Sequence, residues 1–292
     1  MARFRADYFD VKRKIDLLKK TCADQLPDDK CFPLINSIMK NSVGVAVGLK
    51  NPAIYRSRKN DDHRLFENVS ELIYPPEHLV KEKGRLNAVG QSILYAALCE
   101  LGTINELAIK LEECFTITKF KRKESSKDPI VMPLGFKRGE YIPSEMTRAQ
   151  QCVHDFLHSE LTKIVSNDDE YNVTIAIGNH MLISPVKMYE ETLPQLALAY
   201  PSVEAIKNRT TQTYNIAMLP KVFDDHYEME EAFVYVLTLE DTHYQLNPLN
   251  RASCNSRGEL IWQFNFEEMK VRLVRGLTYD RSCFSNGVAT GA

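Results

Sequence analysis

The sequence predicts an α+β fold, with a helical lead-in ahead of a body of strands and interspersed helices. Three observations carry that expectation. Residues 7–23 and 145–165 repeat their apolar positions at three- and four-residue steps, the period of an amphipathic helix. Residues 233–239 and 260–266 alternate apolar and polar at every second position, the period of a half-buried strand. Neither a repeat nor a low-complexity linker divides the 292 residues, so one body is the economical arrangement.

In the first helix Tyr8, Val11, Ile15, Leu18 and Cys22 share one stripe. A second helix is expected over 28–40, after the break at Pro27. The apolar run from Ser42 to Leu49 reads as a buried strand or a tight helix-to-strand junction. The period then shortens, predicting strands over 54–58 and 90–97. Over 102–115 Leu107, Leu111 and Cys114 fall on one helical face, which would put Glu106 in a first turn. Residues 119–148 are polar and carry Pro129, Pro133 and Pro143, the composition of an irregular insertion. A helix over 145–165 is expected, carrying Val153, Phe156, Leu157, Leu161 and Ile164. A short helix over 174–184 and a strand over 195–200 lie around Pro185 and Pro194. A strand over 214–219 ends at Pro220, and the two alternating segments follow as late strands.

Composition excludes several classes of function. Net charge is −2, from 37 basic and 39 acidic residues, so no basic field favours nucleic acid as a partner. No run of about 18 apolar residues exists, so no spanning helix and no membrane partner is expected. Seven cysteines form no Cys-x-x-Cys pair, and the N-terminal residues show no secretory h-region. Reduced thiols and a cytoplasmic location are the expectation. No Gly-x-Gly-x-x-Gly or Walker sequence occurs, which disfavours Rossmann and P-loop nucleotide binding. His154 and His158 stand four apart on a helix, yet no His-Glu-x-x-His pattern or third ligand accompanies them, so no metal is expected.

The chemistry-bearing residues cluster between Tyr55 and Glu106, with an echo at 200–215. The chain reads Tyr55-Arg56-Ser57-Arg58, then Gly84-Arg85-Leu86-Asn87, then Leu94-Tyr95, with Glu106 eleven positions on. Arginine suits a pyrophosphate because its fork makes two charge-assisted hydrogen bonds at once. A carboxylate beside a ribose lowers the barrier to an oxocarbenium-like state, and an aromatic face can stack on a departing ring. Each residue also has a plainer reading. Glu106 could complement a helix dipole, Arg56 could be a surface strand charge, and Tyr95 could be a core residue. Ser202 could be a turn hydroxyl, and no neighbouring His or Asp marks it as a triad nucleophile, so it reads as a hydrogen-bonding positioner.

The order and spacing of these blocks resemble the RES domain, named for its Arg, Glu and Ser. Arg56 matches the family's first-strand arginine, Gly84-Arg85-Leu86-Asn87 its Gly-Arg-x-Asn block, Tyr95 its second-strand tyrosine and Glu106 its glutamate. Tyr200-Pro201-Ser202-Val203 and the strand containing Asn215 match the Tyr-Pro-Ser-Val and Asn-x-Ala-Leu blocks. The match spans roughly 54–220. It departs where Gly102-Thr103-Ile104-Asn105 stands for the usual Thr-Ala, and where Ala88-Val89-Gly90 replaces Pro-x-Gly.

The resemblance implies an ADP-ribosyltransferase-like split β-sheet core with flanking helices. Residues 1–50 would be a helical extension, 51–240 the catalytic domain, and 241–292 strands and tail packed on it. It further implies an enzyme that consumes NAD+ as substrate, with no resident cofactor, and transfers the ADP-ribosyl group to phosphate or water. Arg56, Tyr95, Glu106 and Ser202 would be catalytic, and Arg58, Arg85, Asn87, Tyr200 and Asn215 would bind substrate. A toxin or defence role, an antitoxin or regulatory partner, and a homo-oligomer go with that reading. The alternatives are an ADP-ribosyltransferase acting on a macromolecule and a non-catalytic nucleotide-binding module.

Overall fold

A computed structural model describes residues 8–23, 31–42, 47–48, 53–126, 129–137, 139, 142–183, 196–207, 213–240 and 243–269. α1 (Tyr8–Thr21) and α2 (Cys31–Met39) form where the apolar stripes predict them. Within 42–49, β1 (Val47–Gly48) is a short strand, and the rest of that run after Ser42 lies outside the described residues. β2 (Ile54–Lys59) and β3 (Leu94–Ala97) follow, the latter shorter than expected because Gly90 takes a turn at φ +76°.

The helix expected over 102–115 is displaced. α3 spans Glu100–Glu106, and Glu106 is its last residue rather than one in a first turn. Ala108 at φ +45° ends the helix in a left-handed residue. Leu111 is exposed, and Cys114 opens β4 (Cys114–Arg122), a strand rich in Thr and Phe that the helical spacing concealed. The irregular insertion is therefore corrected as well. It contains the end of β4 and β5 (Ile130–Pro133), which lies inside the sheet. Lys119 and Lys121 lie on β4 and pair with Glu230 and Glu228 across the ladder.

α4 (Arg148–Leu161) opens on a capping box, Thr147 with Gln150, which satisfies amides at its N-terminus. α5 (Asn172–Gly178) continues into a π turn through Ile183. β6 (Leu196–Pro201), α6 (Val203–Lys207), β7 (Tyr214–Met218) and α7 (Pro220–His226) follow. The chain then builds β8 (Tyr227–Glu240), β9 (His243–Cys254) and a short β10 (Leu260–Trp262). Sequence reading missed β9, because Asn247-Pro248-Leu249-Asn250 looks like a turn. In the ladder Tyr235 faces Pro248 and Val234 faces Asn250, so Leu249 is a bulge that accommodates the proline.

Among the described residues the strands form one mixed sheet in the order β1-β5-β6-β7-β3-β2-β4-β8-β9-β10, with β5–β6 the parallel pair. Alternation sorts its side chains into two cores. Tyr95, Leu198, Tyr200 and Ala217 face a layer made by α1, α2, α4 and α5. Leu94, Ala96, Ala197, Ala199, Ile216 and Met218 face Phe120, Phe136, Phe223 and Tyr227. Burying Val11, Ile15 and Leu18 contributes about 1.5–3 kcal/mol per side chain. The Lys19–Glu160 ion pair between α1 and α4, half-exposed on the lysine side, contributes about 0–1 kcal/mol, so packing holds the helical layer in place.

One feature of the register positions everything functional. β2 pairs with β4 along its whole length, and β3 with β7 along its whole length. Between β2 and β3 there is one registered pair, Tyr55 with Ala97. The sheet is two panels joined at a corner.

Candidate functional site

A cavity of about 310 Å³ opens at that seam. Arg56, Tyr95, Glu106, Tyr200 and Asn215 line it, together with Arg85 from the loop between the panels. Six of the nine residues singled out in the sequence thus share one wall, drawn from β2, β3, α3, β6, β7 and the 84–87 turn.

Glu106 ends α3, the helix pole at which a carboxylate is disfavoured by about 0.3–1 kcal/mol, so the dipole does not explain it. Ser202 Oγ donates to Glu106 Oε1 at 2.7 Å, and Asn215 Nδ2 donates to the same oxygen at 2.9 Å. Hydrogen bonds to a charged group contribute about 1.5–3 kcal/mol each, and even the low end for this solvent-exposed carboxylate outweighs the dipole. The carboxylate is held by one oxygen, and Oε2 makes no hydrogen bond among the described residues. Gly102 lets α3 sit close enough for this, since a Cβ there would come within 2.8 Å of the Ala97 side chain. Ser57 Oγ donates to Thr103 O at 2.9 Å and ties the helix to β2 as well.

Ser202 is fully employed. Its amide donates to Thr213 O, its hydroxyl accepts the Ala205 N–H at the start of α6, and it donates to Glu106. That is a positioner's set of bonds, holding the Glu106 carboxylate and the start of α6 at once. Asn215 also hydrogen-bonds Tyr200, whose hydroxyl burial pushes well above the ordinary phenol range.

Tyr95 presents only its ring to the cavity. Its hydroxyl accepts from Leu86 N–H at 2.9 Å and donates to Asn87 Oδ1 at 2.8 Å, and burial raises its pKa further from any role in proton transfer. The Gly84–Asn87 turn closes with Gly84 N–H on Asn87 O at 3.0 Å. A Cβ on Gly84 would meet Asn87 Oδ1 at 2.3 Å and Tyr95 Oη at 3.1 Å, so this position requires glycine. Asn87 is buried behind Tyr95 and serves the turn that presents Arg85.

Two cations complete the site. Arg56 Nη1 donates to Tyr95 O at 2.8 Å, filling the place where, with the register continued, Ser57 would stand opposite Tyr95. Burial, and then Arg58, lower its pKa to about 10, which leaves it charged at neutral pH. Arg85 lies over the Tyr171 ring at 5.5 Å and donates weakly to Lys163 O at 3.3 Å. Arg56 Nε and Arg85 Nη1 are buried donors with no acceptor among the described residues. A buried donor without a partner costs about 1–3 kcal/mol, which an anion in the cavity would recover.

Arg58 is not brought into the cavity. Its guanidinium donates to Glu71 O and stacks on Phe66 at 5.6 Å, outside the lining. Sequence reasoning missed Tyr55, Ser57, Thr103, Tyr171 and Glu204, all of which line the site. Tyr171 ends a 3-10 turn at 168–171, and nothing in its local sequence distinguishes it from any boundary tyrosine. His158 Nδ1 lies 2.6 Å from Gly135 O, and among the described residues no group of three His, Cys, Asp or Glu side chains could hold a metal.

No family model, curated protein or solved structure matches this chain.

Proposed function

We propose that the cavity binds NAD+ and breaks its nicotinamide–ribose bond, in the manner of the RES domains that the sequence blocks resemble, and that the two panels form an ADP-ribosyltransferase-like split sheet. The observation that carries the reading is Glu106: one oxygen is fixed by Ser202 and Asn215, and the other is open in a cavity that two arginines with unspent donors also line.

In this reading Arg85 and Arg56 take the pyrophosphate oxygens, and the Tyr95 and Tyr171 rings wall the ribose and the base. The cavity, at the small end of the ~300–1,000 Å³ range of ligand sites, takes the reacting half of the dinucleotide. The C–N bond breaks with its electron pair leaving on nicotinamide, which departs neutral. Glu106 Oε2 hydrogen-bonds a ribose hydroxyl and stabilises the cation left at the sugar carbon. A phosphate oxygen or water then forms the new bond to that carbon, water losing its proton. A chain with this activity depletes its own cell of NAD+, so an antitoxin-like protein that occludes the cavity is the partner it calls for.

The test mixes the purified full chain with NAD+, with and without inorganic phosphate, and follows products by mass spectrometry. Nicotinamide with ADP-ribose phosphate identifies phosphate as acceptor, and ADP-ribose without phosphate identifies water. Glu106→Gln should slow nicotinamide release by about 10²–10³-fold while lowering Tm by only a few degrees, because the amide oxygen can still accept from Ser202 and Asn215. NAD+ cleavage that is undiminished in Glu106→Gln rejects the site.

A further inference from the structure

Within the helical layer, two thiols lie against each other. Cys22 follows the last turn of α1, its amide donating to Leu18 O, and Cys31 is the first residue of α2. Their Sγ atoms are 3.5 Å apart, and both side chains are 1–2% exposed. Cys99, Cys152 and Cys254 are more exposed, Cys152 packing at the edge of the same core, and Cys114 is buried in a different one. Among the described residues no third ligand turns the pair into a metal site.

We propose that Cys22 and Cys31 are a reversible oxidation site, closing to a disulfide that fastens α1 to α2. A disulfide needs about 2.05 Å between sulfurs, so the gap must shorten by about 1.5 Å, within reach of small side-chain rotations at two helix ends. Helix ends open more readily than helix centres, which gives an oxidant its access. The co-reactant is a hydroperoxide. One thiolate attacks the peroxide oxygen and becomes a sulfenic acid as the alcohol or water leaves. The second thiol then displaces hydroxide from that sulfur, forming the S–S bond and releasing water. Two thiols are oxidised, one peroxide is reduced, and a thiol reductant reverses the step.

The staple acts on a layer that the cavity shares. Val11, Ile15, Leu18, Cys22, Cys31, Ile35 and Ile38 belong to the same core as Tyr200, whose hydroxyl meets Asn215. Oxidation should therefore stiffen the support behind one wall of the site. The closed loop is short, ten residues from 22 to 31, and constrains the unfolded chain accordingly.

The experiment treats the full chain with submillimolar hydrogen peroxide, alkylates remaining thiols and maps tryptic peptides. Peptides 21–30 and 31–40 should appear joined, lighter by two hydrogens than their sum, while other cysteine peptides carry the alkyl label. Tm should rise by about 5 °C and return with dithiothreitol. Cys31→Ser should abolish both the linked peptide and the rise. Separate alkylation of both peptides after peroxide overturns the proposal, as does cross-linking through Cys99, Cys152 or Cys254 in its place. Neither readout depends on NAD+ turnover, so the outcome is independent of the activity proposed for the cavity.

Discussion

At the scale of single residues, the site is defined by which atoms are already spent. Tyr95 has both hydroxyl functions committed, to Leu86 and Asn87, and Ser202 has both committed, to Ala205 and Glu106. Arg56 and Arg85 each keep a buried donor in hand. Tyr95→Phe removes the bridge that shapes the arginine-bearing turn and strands two buried partners, at a cost of about 1–3 kcal/mol. Its signature should be a KM for NAD+ raised about tenfold, with kcat little changed, since Arg85 and not the reacting carbon loses its support. Steady-state kinetics on the variant separates this from a chemical role for the hydroxyl, which would lower kcat instead. The identities of these residues were legible in the sequence, because arginine, glutamate and glycine stand out between turn-forming neighbours. Their employment was not. Arg58 and Arg56 share a strand face in sequence, but Phe66 and Glu71 claim the former.

Among the elements, α3 is the one on which the site turns. It is seven residues long, and it reaches Glu106 only because Gly102 lets it lie on Ala97. Gly102→Ala overpacks that contact, and a misfit of this kind costs about 1–3 kcal/mol. Tm should fall, and nicotinamide release should fall further than stability loss explains, because the carboxylate moves off Ser202 and Asn215. A crystal structure of the variant with both hydrogen bonds intact would refute that account. The sequence placed α1, α2, α4 and the strands at 54–58 and 214–219 well, where one apolar period ran unbroken. It misplaced α3 and lost β4, since Leu107, Leu111 and Cys114 match a helical period by coincidence across a helix end and a strand start.

Taken as a whole, the molecule rests on two cores that meet across one sheet, and two imidazoles, His154 buried and His180 half-buried, lie on the helical side. Burial lowers the pKa of both His154 and His180. The unfolded chain then takes up protons near pH 6.5 before the folded chain does, so stability present above that pH is lost as pH falls. Thermal denaturation should show Tm dropping between pH 7 and pH 5, and His180→Gln should shrink the drop. The mixed α and β character was readable from periodicity alone. The strand order was not, because β5 and β9 carry prolines that read as loop, and their pairing depends on partners about 65 residues away in one case and on a bulge in the other.

The corner pairing of Tyr55 with Ala97 makes the sheet a pair of plates stitched by one arginine. Because Arg56 reaches Tyr95 O with one nitrogen and the cavity with its side-chain body, ligand occupancy and the closure of the plates are linked equilibria. Filling the cavity should slow deuterium uptake at the amides of 54–59 and 94–97 and leave the rate along β8 and β9 unchanged. The protein would then report its own saturation as rigidity of the sheet.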